Sequence, residues 1–278
     1  MDDELLRHAR SFGSVADAYD RGRPSFPREA AAWLVGREAA SVLELGAGTG
    51  KLTQQLVALG HDVHATEPDA AMLDVLTRDL PGTRASRASA EELPVPDRSV
   101  DVVVAAQSFH WFDLDRALPE IARVLRPGGH LSLVWNVRDE RIPWVRRLGH
   151  LIGSQEQLGP ETTEPLVVSG LFGFVEDATF PHWQEINRDS IQDLVLSRSN
   201  VATLDEHGRA AKLAEVLAFY DDFGRGMDGM QLPYAARCFR AQVLDRVTPT
   251  LTDKRSADSD DGIVSDGSST DMLLIDFH

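Results

Sequence analysis

Hydrophobic residues along this chain form short unbroken runs, separated by stretches in which they recur at helical spacing. The runs at 41–45 and 99–106 are nearly all apolar, as in strands of a parallel sheet that is buried on both faces. Strands and helices are therefore predicted to alternate through the first half of the chain. The predicted strands are 41–45, 61–67, 84–87, 99–106 and 130–137, and the predicted helices are 2–12, 28–39, 51–59 and 114–125.

The second half of the chain has a different pattern. Residues 174–186 and 232–244 are typical of strands and suit the closing antiparallel pair of a seven-stranded sheet. The other predicted elements are helices at 143–153, 190–197 and 204–223 and a polar loop at 154–170. The predicted core positions of the last helix are Leu204, Ala211, Ala214, Leu217 and Ala218. We predict an α/β fold whose sheet is mostly parallel with the last strand antiparallel, helices on both faces, and a helical insertion near the C-terminal strands.

The first predicted strand ends in a glycine-rich turn, which is followed directly by a helix from Lys51. Gly46, Gly48 and Gly50 occupy alternate positions, so the backbone can adopt positive φ angles and a ligand can lie against it. This arrangement is typical of a cofactor site in an α/β sheet. The dinucleotide fingerprint G-x-G-x-x-G would place its third glycine at Lys51, where there is none. Glu44, near this turn, would repel a pyrophosphate and attract an ammonium or sulfonium group.

Four segments between residues 42 and 137 resemble, in the right order, the motifs of the class I S-adenosylmethionine-dependent methyltransferases. The first is the acid-x-G-x-G-x-G turn from Glu44, and the second is Glu67 with the Pro-Asp-Ala-Ala-Met-Leu sequence after it. The third is the loop at 88–97, and the fourth is the Leu-Arg-Pro-Gly-Gly-His-Leu sequence at 125–131. The resemblance implies a Rossmann-like sheet, S-adenosylmethionine as the cofactor, and transfer of a methyl group.

The resemblance also implies which residues contact the adenosine part of the cofactor. Glu67 ends the second strand, where an acid can accept hydrogen bonds from both ribose hydroxyl groups. Met72 corresponds to a position near the adenine. Ala90 and Glu91 belong to the loop that reads the amino edge of the adenine in this family.

An N-terminal segment of the form F-x-x-x-A-x-x-Y, here residues 12–19, folds over the cofactor as a lid in many small-molecule methyltransferases. By this resemblance Tyr19 and Arg23 face the cofactor, with Arg23 near its carboxylate; packing at the surface is the alternative. The full set of predicted cofactor-binding residues is Tyr19, Arg23, Glu44, Gly46, Ala47, Gly48, Gly50, Glu67, Pro68, Met72, Ala90, Glu91, Gln107, Phe109 and Trp111.

Three aromatic residues and a histidine follow the fourth predicted strand, at the edge where open α/β sheets bind ligands. His110 is the candidate general base, and Phe109, Trp111 and Phe112 are candidates to face the cationic cofactor. The alternative is that His110 and Trp111 only pack the pocket or hold the cofactor. A phenol or alcohol acceptor would benefit from a base, whereas a carboxylate would need none.

The sequence Ala-Gln-Ser-Phe-His-Trp-Phe at 106–112 resembles a type 11 subgroup that includes trans-aconitate-type and lipid-type small-molecule methyltransferases. Members of this subgroup act on oxygen, carboxylate, nitrogen or carbon nucleophiles, so the acceptor stays open. No cluster of basic residues for a polyanionic substrate is evident in the sequence. Isolated arginines such as Arg138, Arg141, Arg146 and Arg147 are interpreted as solvated helix charges, and the alternative is that they bind a carboxylate.

The formal net charge is −16, and residues 249–278 carry seven Asp against Lys254 and Arg255, which leaves −11 for residues 1–248. An acidic body argues against a nucleic-acid partner, for which a basic surface is expected. The single cysteine, Cys238, excludes an intrachain disulfide, and no metal site is expected. The sequence has no apparent signal peptide or membrane span, so we expect a cytoplasmic protein, monomer or homodimer, with a small-molecule substrate.

The predicted domain organisation is a methyltransferase domain at 1–248 and an acidic, disordered tail at 249–278. Within the domain we predict an N-terminal lid at 1–40, a cofactor-binding core at 41–137 and a substrate-shaping insertion at 187–231. Two alternatives to a methyltransferase remain. One is a non-catalytic protein that binds S-adenosylmethionine. The other is a nicotinamide-dependent oxidoreductase, which would need the G-x-G-x-x-G spacing that this sequence lacks.

Overall fold

The structure is a computed structural model, which describes residues 16–153, 162–198, 201, 203–223 and 230–244. All of these belong to one compact unit, Met1–Asp245. The predicted helix at 2–12 and the predicted disordered tail at 249–278 lie outside the described residues. The predicted division into lid, core and insertion stays a prediction.

The described residues contain a seven-stranded sheet with the strand order β3-β2-β1-β4-β5-β7-β6. Neighbours from β3 to β5 pair in parallel, whereas β7 pairs antiparallel with both β5 and β6. The predicted fold class is therefore confirmed. The strands are β1 Ser41–Leu45, β2 Asp62–Thr66, β3 Arg84–Ser86, β4 Val100–Ala106, β5 Leu125–Arg138, β6 Phe172–Ile186 and β7 Met230–Val243.

Helices cover both faces of this sheet, because successive residues of each buried strand point to opposite sides. On β1, Val42 joins an apolar cluster with the helices at Arg28–Val35 and Lys51–Ala58, and Leu43 joins the opposite cluster with the helix at Leu114–Val124. The helices are α1 Ala16–Gly22, α2 Arg28–Val35, α3 Lys51–Ala58, α4 Ala70–Asp79, α5 Leu114–Val124, α6 Pro143–Ile152, α7 Glu164–Val168, α8 Ser190–Leu196 and α9 Glu206–Phe223, with a 3-10 turn at Phe109–Trp111.

The carboxyl ends of the central strands lie level with one another. Leu45 at the end of β1 pairs with Thr66 of β2 and Ala105 of β4. The fifth strand continues past this level as far as Arg138. It also begins earlier than predicted, because Leu125 already pairs with Val100 across an irregularity in the ladder.

A third apolar cluster lies where β7 begins, and it joins α6, α8 and α9. Because β7 is antiparallel to β5, this beginning is at the carboxyl edge of the parallel strands. The predicted core face of the last helix was partly wrong: Leu204 and Leu217 pack against this cluster, but Ala211, Ala214 and Ala218 are exposed. The helix buries Val216, Phe219 and Tyr220 instead, since their side chains remove much more apolar area from water than alanine does.

The predicted loop at 154–170 contains a short helix, α7, in its described part. Pro165 occupies its first turn, where proline costs no hydrogen bond, and Leu166 is buried in the core. No helix in the described part of the chain is long and apolar enough to cross a lipid bilayer.

Candidate active site

The glycine turn after β1 has a backbone conformation that suits glycine. Gly46, Gly48 and Gly50 have φ angles of 64°, 58° and 90°, in the left-handed region. A Cβ atom on Gly46 would lie 2.7 Å from the Cβ atom of Ser108, so the side chain at position 108 excludes any larger residue there. A Cβ atom on Gly48 would meet nothing within 4 Å, which leaves open space beside the backbone for a ligand.

Two hydrogen bonds hold this turn to the neighbouring strands. The Ser108 hydroxyl donates to the carbonyl oxygen of Leu45 at 2.7 Å, and the backbone N–H of Ala47 donates to the carbonyl oxygen of Thr66 at 3.0 Å. The turn is therefore positioned by the two strands on either side of β1 before any ligand binds.

Glu67 lies at the end of β2 with its carboxylate directed back towards the glycine turn. One oxygen accepts a hydrogen bond from the backbone N–H of Gly48 at 2.9 Å, and the other accepts one from the backbone N–H of Asp69 at 2.9 Å. Burial raises the pKa of this carboxyl group, and the two backbone N–H groups partly oppose that shift. Each oxygen keeps a second lone pair, with which it can accept one ribose hydroxyl group.

Glu44 is the second buried acid of the site. One of its oxygens accepts a hydrogen bond from the Thr53 hydroxyl at 2.7 Å, while Oε1 is buried with no hydrogen-bond partner among the described residues. Burial, together with the nearby charge of Glu67, raises the pKa of Glu44 to about 8. A buried carboxylate of this kind favours a cationic ligand, which would lower its pKa again.

The residues predicted to contact the adenine lie at the next two strand ends. Met72 is buried on α4 beside Ala16 and Tyr19, and Pro68 is exposed. Ala90 belongs to the apolar core. The Glu91 carboxylate accepts a hydrogen bond from the backbone N–H of Asp113 at 2.9 Å, so one of its oxygens is already used to hold the start of α5.

The segment after β4 begins with an unusual backbone conformation. Gln107 has a φ angle of 57°, which is uncommon for a residue with a Cβ atom and often accompanies a functional site. Phe109 turns into the core and packs edge-on against Phe112 and Trp135. This placement favours a packing role for Phe109 over a contact with the cofactor. His110 is exposed and lies 4.7 Å, ring centre to ring centre, from Trp111.

Helix α1 connects the glycine turn to the helical insertion. Asp20 forms an ion pair with Lys51, the first residue after the turn, at 3.0 Å. Arg23 lies 5.0 Å from the centre of the Tyr19 ring and donates to the carbonyl oxygen of Ser197 at 3.0 Å. The predicted lid residues therefore lie between the glycine turn and α8.

These features fit S-adenosylmethionine better than a dinucleotide. The two buried acids, Glu44 and Glu67, lie close enough for their charges to interact beside an open glycine turn. A pyrophosphate placed there would be repelled by the ionised acids, whereas a sulfonium or ammonium group would be attracted and would favour the ionised form of Glu44. No group of three His, Cys, Asp or Glu side chains that could hold a metal ion is found in the described ranges.

Comparison with known proteins agrees with this geometry. The methyltransferase domain family matches residues 43–133. A methyltransferase of Mycobacterium tuberculosis without an assigned reaction is 46% identical over 236 residues, which cover 84% of this chain and 96% of that protein. This chain belongs to the methyltransferase family. It is a class I enzyme with S-adenosylmethionine as its cofactor, so the predicted enzyme class and cofactor are confirmed.

Two further proteins extend the comparison of this methyltransferase. A methyltransferase-like protein of Schizosaccharomyces pombe is 34% identical over 212 residues, which cover 73% of this chain and 82% of the relative. A solved protein of Anaeromyxobacter dehalogenans, described as a candidate type II methyltransferase, is 25% identical with a TM-score of 0.52. That alignment covers 79% of this chain and 97% of the solved one.

Sequence reasoning missed several residues of this edge in the methyltransferase. Ser108 was not predicted to limit the size of residue 46, because no local pattern relates the two positions. Arg138 was interpreted as a solvated helix charge, which was wrong, because it ends β5 and is only 3% exposed. Its neighbour across the sheet is Tyr234 of β7, which is also buried. The signal for its burial in the sequence was its position directly after the apolar strand predicted at 130–137.

Proposed function

We propose that this methyltransferase transfers the methyl group of S-adenosylmethionine to a small-molecule acceptor at the carboxyl edge of its sheet. The observation that carries the proposal is the pair of buried acids at the glycine turn: Glu44 just before the turn, and Glu67, which accepts a hydrogen bond from Gly48. The cofactor supplies an activated methyl group, so the chain has mainly to bind and align the two reactants. The acidic body favours a small acceptor over a nucleic acid.

In this proposal each element of the site has a separate task. Glu67 accepts the ribose hydroxyl groups, and Glu44 lies near the cationic end of the cofactor. The backbone of Gly46, Ala47, Gly48 and Gly50 borders the cofactor, and a Cβ atom on Gly48 would enter the open space beside the turn. Helix α1 covers the bound cofactor and brings the Arg23 guanidinium towards the cofactor's carboxylate.

The adenine would lie beside Met72 and Pro68, with Ala90 and Glu91 along its amino edge. Gln107 and Trp111 complete the side next to the methyl group. His110 is the proposed base for a hydroxyl acceptor, and its exposure allows it to exchange a proton with water after each turnover. A monomer or homodimer in the cytoplasm is part of the same proposal.

Calorimetric titration of the full chain with S-adenosylmethionine, S-adenosylhomocysteine and NAD tests the cofactor part of the proposal. We expect the two sulfur compounds to bind with roughly micromolar affinity and NAD not to bind. Binding of NAD alone would contradict the proposal. Binding of S-adenosylmethionine without turnover on a broad panel of small acceptors would instead support a non-catalytic binding protein.

A further inference from the structure

Helix α1 packs against helix α8 of the insertion with the two backbones in direct contact. A Cβ atom on Gly22, the last residue of α1, would overlap the backbone carbonyl group of Asp193 and lie 2.6 Å from the backbone nitrogen of Leu194. Gly22 has no positive φ angle, so the close contact, and not the backbone conformation, requires glycine here. A residue with a side chain at this position would push the two helices apart.

The residues on either side of Gly22 add polar contacts to the same helix. Arg21 donates through Nε and Nη2 to the two carboxylate oxygens of Asp193, at 2.9 Å and 3.0 Å. Arg23 donates through Nη2 to the carbonyl oxygen of Ser197, directly after the end of α8, at 3.0 Å. A cation in this position also interacts favourably with the negative end of the helix dipole. Three consecutive residues therefore attach α1 to α8.

The other contacts of α1 are with elements of the cofactor site. Tyr19 packs beside Met72 of α4, which is the predicted neighbour of the adenine. Asp20 forms its ion pair with Lys51, directly after the glycine turn, at 3.0 Å. Helix α1 therefore contacts the cofactor half of the site and the insertion at the same time.

Helix α8 connects this contact to the rest of the insertion. Its residues Ile191, Leu194 and Val195 are buried in the third apolar cluster, together with residues of α6, α9 and the start of β7. Closely packed side chains transmit a displacement rather than absorb it. The position of α1 should therefore influence the position of the insertion, which lies at the edge where α/β sheets bind their ligands.

We propose that Arg21, Gly22 and Asp193 are positioning residues for methyl transfer, which couple the packing of α1 over the cofactor to the placement of the insertion on the acceptor side. The inference rests on the proposed function, because it takes α1 as the cover of the bound cofactor. These three residues act through α8 and have no proposed contact with either reactant. A ligand that binds under α1 stabilises the contact with α8, and by linkage the loss of that contact must weaken the ligand.

Hydrogen exchange of the backbone amides at 190–197, measured with and without saturating S-adenosylhomocysteine, tests the coupling. In the wild type we expect the ligand to slow exchange there by about tenfold, within the range that is typical of coupled sites. Gly22→Ala should remove most of this ligand-dependent protection and weaken S-adenosylhomocysteine about tenfold. A contact that is only structural would instead raise exchange equally with and without ligand and leave the affinity unchanged.

The ion pair provides a second test that needs no steric change. Asp193→Asn should weaken S-adenosylhomocysteine about two- to fivefold, because the pair is partly exposed to solvent. Exchanging the partners, Arg21→Asp with Asp193→Arg, should restore most of the affinity and of the protection at 190–197. The matched control is Arg188→Gln, which breaks an exposed ion pair with Asp221 inside the insertion and should change neither quantity.

Three results would overturn the inference. The first is that S-adenosylhomocysteine leaves exchange at 190–197 unchanged in the wild type. The second is that Gly22→Ala, or Asp193→Asn if Gly22→Ala does not fold, keeps the affinity and the ligand-dependent protection of the wild type. The third is that Arg188→Gln lowers both as much as Asp193→Asn does. Failure of S-adenosylhomocysteine to bind the wild type would instead overturn the proposed function.

Discussion

The Glu67 carboxylate accepts the backbone N–H of Gly48 at 2.9 Å, so the end of the second strand is bonded directly to the turn after the first. The same side chain also accepts the backbone N–H of Asp69, just before helix α4. One acid therefore links two strand ends and a helix start, in addition to its proposed contact with the ribose. Its loss should affect the shape of the site as well as the binding of the cofactor.

Replacing Glu67 by alanine should weaken S-adenosylhomocysteine binding by about 100-fold or more, because two charge-assisted hydrogen bonds are lost. Calorimetric titration measures the change directly. Glu92→Ala removes an exposed acid nearby in the sequence and should leave the affinity within about twofold. Unchanged affinity in Glu67→Ala would remove this residue from the site.

Binding of S-adenosylmethionine should release a proton near pH 7. The pKa of Glu44 in the ligand-free chain is raised to about 8, so the group is mostly protonated at neutral pH. A cation bound beside it favours the carboxylate, so the affinity should rise with pH and level off above about pH 8. Titrations in buffers of different ionisation enthalpy measure the proton, and Glu44→Gln should abolish its release. Equal binding enthalpies in all buffers would contradict this account.

The same raised pKa makes the stability of the ligand-free chain depend on pH. Between pH 4.5 and about pH 8 the folded chain holds the Glu44 proton more tightly than the unfolded chain does. The contribution of Glu44 to the free energy of unfolding should therefore fall across this range, by an amount on the order of a few kcal/mol. Urea unfolding at several pH values measures this fall, which should be smaller in Glu44→Gln. An identical pH profile in wild type and variant would refute it.

Gly46→Ala should destabilise the chain by roughly 2–4 kcal/mol, because the new Cβ atom adds left-handed strain to an overlap with Ser108. The overlap distance is 2.7 Å between Cβ atoms. Gly82→Ala is the matched control, since Gly82 has open space around it and no positive φ angle. Its effect should be within about 1 kcal/mol. Equal thermal stabilities of the two variants would show that the turn relaxes freely.

His110→Gln tests the proposed base once an acceptor is known. If His110 removes a proton from a hydroxyl acceptor, the variant should lose about 100-fold or more in kcat and the limb of its pH–rate profile that reports the histidine. A carboxylate nucleophile needs no base, so for such an acceptor the substitution should leave kcat and the pH–rate profile almost unchanged. An unaltered pH profile on a hydroxyl acceptor would show that His110 does not act as the base.

Much of the fold follows from local patterns. The apolar runs at 41–45 and 99–106 are strands because a sheet covered by helices on both faces selects continuous hydrophobic residues. The last helix was less predictable. Its core face depends on which aromatic residues meet α6 and α8, and alanines at helical spacing carry little information about that.

The sequence by itself determined the order of the elements, the glycine turn and the two acids of the cofactor site, because these are properties of short contiguous segments. Only the tertiary structure decided that Ser108 confines Gly46 and that Arg23, Arg138 and Arg198 meet. These contacts join residues far apart in the chain, and strand pairing and helix packing, which are global, set their distances. For that reason Arg138, which resembles a solvated surface residue in the sequence, lies buried beside other arginines in the structure.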